Sequence, residues 1–393
     1  MVESLCRAAA AAGLAMSLWG AARTSAAEPA PIPFIKGHSW GWVGTRGDYA
    51  APAAAESMQR LAETGANAVC IAFGPNMATA ETPEFAWGDA NPRMVTDDEI
   101  RRAIHLARDN GLRVILKPTI NCDDGTWRAW IKFFRPLTAA ERAAGHSGEI
   151  DPWGSEPVLR AGETRDLAKW DQWWDLFHQY VMHYARLAAE QDVEMLCLGC
   201  EMNSNEEFDQ RWRALIADVR SVYPGALTYD VNHGRESEVP WWDAVDVIGV
   251  SAYYQVPPPE GVTEEEAIQR TTTREEILAQ LLANRDELAA LSRQYDKPIL
   301  FIETGVTNVR GCARYPWSHP DAKLGDPLDE QEQVNYYEAM FEAFWDQPWF
   351  LGFAWWDWPA RLYDRESAGA HRGFCIFGKA AEDVVRRWYA KPR

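Results

Sequence analysis

The chain has 393 residues and a formal net charge of −19 at pH 7, a balance that disfavours nucleic acid or an anionic membrane surface as partner. Its 20 tryptophans are costly to spread over a surface, whereas sugar rings stack on flat aromatic faces. About half are therefore expected in a carbohydrate cleft and the rest in the core.

The amino terminus places Arg7 before an apolar run from Ala8 to Leu18, then small residues ending Ser25-Ala26-Ala27-Glu28. This is the pattern of a secretory signal over residues 1–27, leaving 28–393 as one catalytic domain. The run is too short to span a bilayer, and no later segment supplies ~18 unbroken apolar residues. A secreted or periplasmic protein is expected, with no membrane partner once the leader is removed. Among the seven cysteines, Cys197 and Cys200 lie three apart on one strand and so face opposite sides, unable to share a metal. Cys70 reads as a small core residue. Cys122, Cys312 and Cys375 fall in loops, where export would permit a disulfide.

Apolar runs then alternate with helical patterns. Strands are expected at Phe34–Trp42, Ala68–Phe73, Arg113–Thr119, Met195–Glu201, Leu227–Val231, Val247–Tyr253, Ile299–Glu303 and Phe350–Trp356. Thr96 with Glu99, Thr273 with Glu276 and Asp329 with Glu332 mark helix starts, and Gly111 a stop. Trp170, Trp173, Trp174, Phe177, Val181 and Tyr184 make one apolar helix face, read as core packing. Eight strand–helix units favour a (β/α)8 TIM barrel over an open sheet. Helix-to-strand connections are short, while those after Thr119, Tyr253, Thr304 and Trp356 are long. Long loops at the carboxyl ends of the strands are where barrel enzymes keep their sites.

Two strands end in a carboxylate at that face: Met195–Glu201 and Ile299–Glu303. Retaining glycoside hydrolysis needs such a pair, a proton donor and a nucleophile about 5–5.5 Å apart. The alternative for either glutamate is a buried ion pair. Other strand ends add His38, Trp40 and Trp42, then Lys117 and Asn121, then Asn232 and His233, then Tyr253 and Tyr254, and finally Trp355-Trp356-Asp357-Trp358. These supply stacking faces and hydrogen-bonding groups for hydroxyls. No H-x-H or H-E-x-x-H pattern, phosphate-binding glycine loop or G-x-S-x-G elbow occurs. No metal and no organic cofactor is expected.

The ordered set VPWWDAVDVIGVSAYY, KPILFIETG and QPWFLGFAWWDW, with KGHSWGW and LKPTINCDDGTW before it, resembles glycoside hydrolase family 113, in a retaining barrel clan rich in β-mannanases. The resemblance covers most of the mature chain and is densest from Leu196 to Trp358. It implies that Glu201 is the acid/base, Glu303 the nucleophile, Tyr253 a hydrogen-bond partner of the nucleophile, and Trp356 the floor under the sugar at the cleavage point. The wider clan has Asn immediately before the acid/base. Cys200 stands there instead, which leaves Asn203 or Asn121 to bind the sugar 2-hydroxyl and the choice of mannose over glucose open.

The expected protein is thus an exported, monomeric retaining glycosidase cleaving β-1,4-mannan-type polysaccharide or oligosaccharide. Substrate-binding candidates are Trp40, Asn121, Asn203, Asn232, His233, Tyr253 and Trp356. Two alternatives remain: the same mechanism on another β-linked glycan, and a catalytically silent barrel that binds polysaccharide.

Overall fold

In the computed structural model, which describes residues 32–42, 44–318 and 327–393, every expected strand forms. They are β1 (Ile35–Trp40), β2 (Ala68–Phe73), β3 (Arg113–Pro118), β4 (Met195–Cys200), β5 (Ala226–Asn232), β6 (Val247–Ser251), β7 (Ile299–Thr304) and β8 (Phe350–Trp358). Each pairs in parallel with its sequence neighbour, and β1 closes on β8. All residues of β2, β4, β6 and β7 are buried. Both faces of these strands are covered, so they read as continuous apolar runs rather than alternating ones. Residues 1–27, read as a leader, lie outside the described residues.

Among the described residues, seven long helices surround the strands: α1 (Pro52–Ala62), α2 (Asp97–Asp109), α3 (Leu167–Glu190), α4 (Asp209–Val222), α5 (Arg274–Tyr295), α6 (Glu330–Phe344) and α7 (Ala380–Tyr389). The fifth unit departs from the expected pattern. Between β5 and β6 the chain makes only a 3-10 turn, Trp242–Ala244. Trp241 and Trp242 are fully buried there, and Trp241 stacks on Trp212 of α4 at 4.6 Å. Indole bulk fills the layer that a helix would otherwise occupy.

The helix signals act as the chain chemistry requires. Thr96 with Glu99 and Thr273 with Glu276 form reciprocal capping boxes, each satisfying two amide donors that the first turn leaves unpaired. At α6 only half of that device forms. Asp329 accepts from the Glu332 amide at 3.0 Å, but the Glu332 carboxylate accepts instead from the amides of Gly311 and Ala313. Its oxygens pin the loop after β7 rather than the helix start. Gly111 follows α2 with φ +75°, the left-handed turn that ends it. The tryptophan face of α3 is buried throughout, each large side chain contributing roughly 1.5–3 kcal/mol.

Connections at the amino ends of the strands are short. Five of those at the carboxyl ends are long, spanning 74–96, 119–166, 252–273, 305–329 and 359–379. The longest is not featureless: Phe134–Pro136 pairs with Glu163–Arg165, and Gly148–Asp151 with Val158–Ala161. Cys122 and Cys375 are buried free thiols, so the permitted disulfide does not join them. Among the described residues no helix is long and apolar enough to cross a membrane. Phe34–Arg393 forms one compact unit.

Candidate active site

Lys117, Asp230 and Glu303 meet inside the barrel at its carboxyl end. Lys117 on β3 and Asp230 on β5 are fully buried, and Glu303 on β7 nearly so. The Lys117 ammonium donates to Asp230 Oδ2 at 2.5 Å and to Glu303 Oε1. Ser251 donates to Asp230 Oδ1 at 2.9 Å, and Tyr253 to Glu303 Oε2 at 3.2 Å. Cys200 directs its thiol between the acids, 3.3 Å from Asp230 Oδ2 and 3.7 Å from Glu303 Oε1.

Taking an ammonium out of water costs several kcal/mol unless it is paired, and here two acids pair it. Burial opposes the charge on Lys117, but Asp230 and Glu303 outweigh burial and hold it well above its ordinary value. One cation serving two acids leaves Asp230 undercompensated. Burial, with the Glu303 charge, pushes Asp230 up to about 7 against the pull of Lys117. An ammonium touching two carboxylates keeps its proton. Burial and then Glu303 also push the Tyr253 phenol well above its usual value, so it remains a donor.

Cys200, Asp230 and Glu303 each offer one ligand atom, all within 4.8 Å of one another. Such a set could hold a metal ion. The Lys117 ammonium already lies against two of the three, so the chain itself supplies the positive charge.

Glu201 is held differently. It follows β4 with φ +50°, a conformation that costs a non-glycine residue on the order of 1–3 kcal/mol and tends to mark functional positions. Its amide donates to the Asp230 carbonyl at 2.7 Å, which ties the turn to β5. Trp127 Nε1 and an Arg128 amino group both donate to Glu201 Oε2 at 3.0 Å. Among the described residues no hydrogen bond reaches Oε1. The Arg128 side chain also donates to Asn121 Oδ1 at 3.1 Å and to the Ile120 carbonyl at 3.2 Å. It therefore ties the acid to the β3–α3 loop.

Glu201 and Glu303 line the same cleft, of about 800 Å³. Asn121, Asn232, His233, Tyr253 and Trp356 line it too, as do Trp42, Trp127, Trp130 and Trp317. His233 stacks on Trp317 at 5.4 Å, and burial lowers its pKa to about 4, so it is neutral in the cleft. Gly305 lets the wall close behind the second glutamate, since a Cβ there would lie 2.4 Å from the Trp356 carbonyl.

Two expected sugar contacts are not in the cleft. Trp40 is fully buried, donates to Ser57 of α1 at 3.1 Å and packs on Tyr49. It points outward from the barrel wall, toward α1; the strand ends at Trp40, and Gly41, at φ +89°, turns the chain so that Trp42 enters the cleft. Asn203 sits buried on the turn after β4, and among the described residues its Oδ1 has no hydrogen-bond partner. His38 is likewise in the wall, near Thr64 and Trp358.

Asp230 and Arg128 are site residues that were not expected from the sequence. Asp230 carried a usable signal: an acid within a buried strand requires a cation, and Lys117 on another buried strand was the natural candidate. Arg128 and Trp127 carried none, because nothing in a long loop fixes where its side chains return.

A closed parallel barrel with two glutamates at the ends of non-adjacent strands, in an aromatic cleft, is the architecture of a barrel glycoside hydrolase. The family model for Glycoside Hydrolase Family 113 matches residues 38–144 and 156–379. Among solved structures, the chain is similar to a family 113 β-mannanase from Alicyclobacillus acidocaldarius in complex with ManMIm. Identity is 36% over 91% of this chain and 98% of that one, with a TM-score of 0.73. A second family 113 β-1,4-mannanase is 33% identical over 92% of this chain and 100% of its own, with a TM-score of 0.74. A β-glucuronidase from Faecalibacterium prausnitzii, at 16% identity and a TM-score of 0.53, covers 49% of its own length and shares the fold alone. No curated protein matches the chain. The chain belongs to glycoside hydrolase family 113.

Proposed function

We propose that this glycoside hydrolase cleaves β-1,4-linked mannan with retention, Glu303 acting as nucleophile and Glu201 as acid/base. One observation carries the reading: two glutamates line one cleft with separate sets of donors. Glu303 is fixed by an ammonium and a phenol that use both its oxygens, which aims a lone pair into the cleft. Glu201 is gripped on Oε2 only, which leaves Oε1 to exchange a proton with the leaving oxygen and then with water. Trp356 and Trp42 supply apolar faces for the sugar at the cleavage point. Asn121 lines the cleft and supports a role in reading the 2-hydroxyl. The mannan specificity rests on the 33–36% identical mannanases that cover nearly their full length. The amino-terminal apolar run supports export.

The test is reducing-sugar release from mannan, glucomannan, xylan and cellulose. Wild type is expected to act preferentially on mannan. Glu303→Ala is expected to lose roughly 10⁴-fold or more while still binding oligosaccharide. Azide should restore turnover in that variant with a product of inverted configuration. Release only from another glycan would remove the mannanase reading, and silence on all four would favour a binding barrel.

A further inference from the structure

Glu201 opens a turn, residues 201–206, whose shape decides where its carboxylate points. Two consecutive residues of β5 clasp that turn. The Asp230 carbonyl accepts from the Glu201 amide at 2.7 Å, and the Tyr229 hydroxyl accepts from the Met202 amide at 2.9 Å. The same hydroxyl donates to Glu206 Oε1 at 2.8 Å, so one oxygen joins Met202 to Glu206 across the turn. The turn does not hold itself in this way. Among the described residues, the buried side chains of Ser204 and Asn205 have no hydrogen-bond partner.

Glu206 is buried, and a buried carboxylate needs a cation. Arg235, from the β5–β6 connection, supplies it, donating to Glu206 Oε2 from two nitrogens, each at 3.2 Å. Burial raises Glu206 above its ordinary value, and Arg235 opposes that rise. The guanidinium is partly exposed, pairs with Glu238 at 2.7 Å, and lies over the Trp153 ring 5.3 Å from its centroid. Trp153 is itself fixed. Its amide donates to Asp151 Oδ1 at 3.0 Å, and its carbonyl accepts from Lys132, which pairs with the buried Asp151 at 2.7 Å. It falls in residues 145–155, the stretch of the long β3–α3 connection that the family 113 model does not match. An indole face anchored there keeps the planar guanidinium from swinging into water and leaving Glu206 without its cation.

We propose that Glu206 and Arg235 are positioning residues for Glu201, and that Trp153 keeps Arg235 in place for that task. None of the three lines the cleft. The contacts run from Trp153 through Arg235, Glu206 and Tyr229 to Met202, and stop one residue from the acid. Glu201 sits at φ +50°, a conformation that persists only where its surroundings impose it. Loosening the clasp lets that backbone relax and turns Oε1 away from the leaving oxygen. The cost should therefore appear only where the leaving group needs a proton. The inference rests on the acid/base reading of Glu201 given above.

The test compares kcat/KM on two aryl β-mannobiosides, one releasing phenol and one releasing 2,4-dinitrophenol, which departs without a proton. Glu206→Gln should lose about tenfold on the phenyl substrate and less than about twofold on the dinitrophenyl one. Trp153→Ala should show the same selectivity at about threefold, and Trp153→Phe, which keeps an aromatic face, should restore most of it. Equal losses on the two substrates, or none, would make the cluster a support of the fold alone and overturn the inference. Where Glu206→Gln does not fold, Trp153→Ala decides, since its half-buried side chain lies outside the barrel. Glu201→Ala is the control. A selective control with unselective variants overturns the inference alone. A control that loses equally on both substrates, or a wild type that hydrolyses neither, overturns the acid/base reading and the inference with it.

Discussion

The two sides of the cleft hold their glutamates by different means. Glu303 is fixed by the barrel: Lys117 comes from β3, Asp230 from β5, and Tyr253 from the residues just past β6. Glu201 is fixed by a loop, through Trp127 and Arg128 from the long connection after β3. Strands held by parallel ladders cannot shift one side chain without shifting their neighbours, whereas a loop can be reset locally. The group proposed to form a covalent bond is thus placed by the least adjustable part of the molecule. The group proposed to move protons is placed by a part that sequence change can tune.

The strongest way to break this contrast is Lys117→Met. It leaves Asp230 and Glu303 buried without their shared cation, and we expect a loss of ~3–5 kcal/mol in urea unfolding. Turnover should fall at least ~10²-fold as Glu303 loses its anchor. A stable, active Met variant would show that the buried network does not position Glu303. Arg128→Ala should be gentler. It removes a charged donor from Glu201 while the barrel stays intact, so kcat should fall about tenfold with little change in melting temperature. The loss should grow as the leaving group becomes less acidic, since only such substrates need the proton. A loss independent of leaving group would detach Arg128 from acid catalysis.

The smallest effect lies far from both glutamates, at the start of α5. Hydrogen bonds from Arg270 hold Glu276 at about 2, below its ordinary 4.5. Because the folded value is the lower one, this contribution is fully present above pH 4.5 and is lost as pH falls toward 2. Melting temperatures of wild type and Glu276→Gln should therefore differ at pH 6 and converge near pH 2. A constant difference would mean the effect is not ionic.

What could be read in the sequence follows the same division. All eight strands and both glutamates were visible, because a buried strand announces itself by composition and a carboxylate at its end stands out against that background. Tyr253 and Trp356 were found through their nearness to such ends. Trp40 was misplaced because the strand ends earlier than expected: alternation puts residues 40 and 42 on one face, but Gly41, at φ +89°, turns the chain and sends only Trp42 into the cleft. The Trp127–Arg128 grip was invisible, since its geometry depends on a loop that packs its own small sheets. The missing helix of the fifth unit escaped notice because VPWWDAV is apolar enough to fill a layer without being helical.

Lys117 has one further consequence. A bound cation is an equilibrium partner: its occupancy varies with concentration, and a chelator or a competing ion can remove it. An ammonium carried on a strand is present once per chain from synthesis onward and cannot be exchanged for a different element. The positive charge beside Glu303 should therefore be indifferent to the ionic inventory of whatever medium the protein meets. Hydrolysis in the presence of excess chelator should match that in its absence.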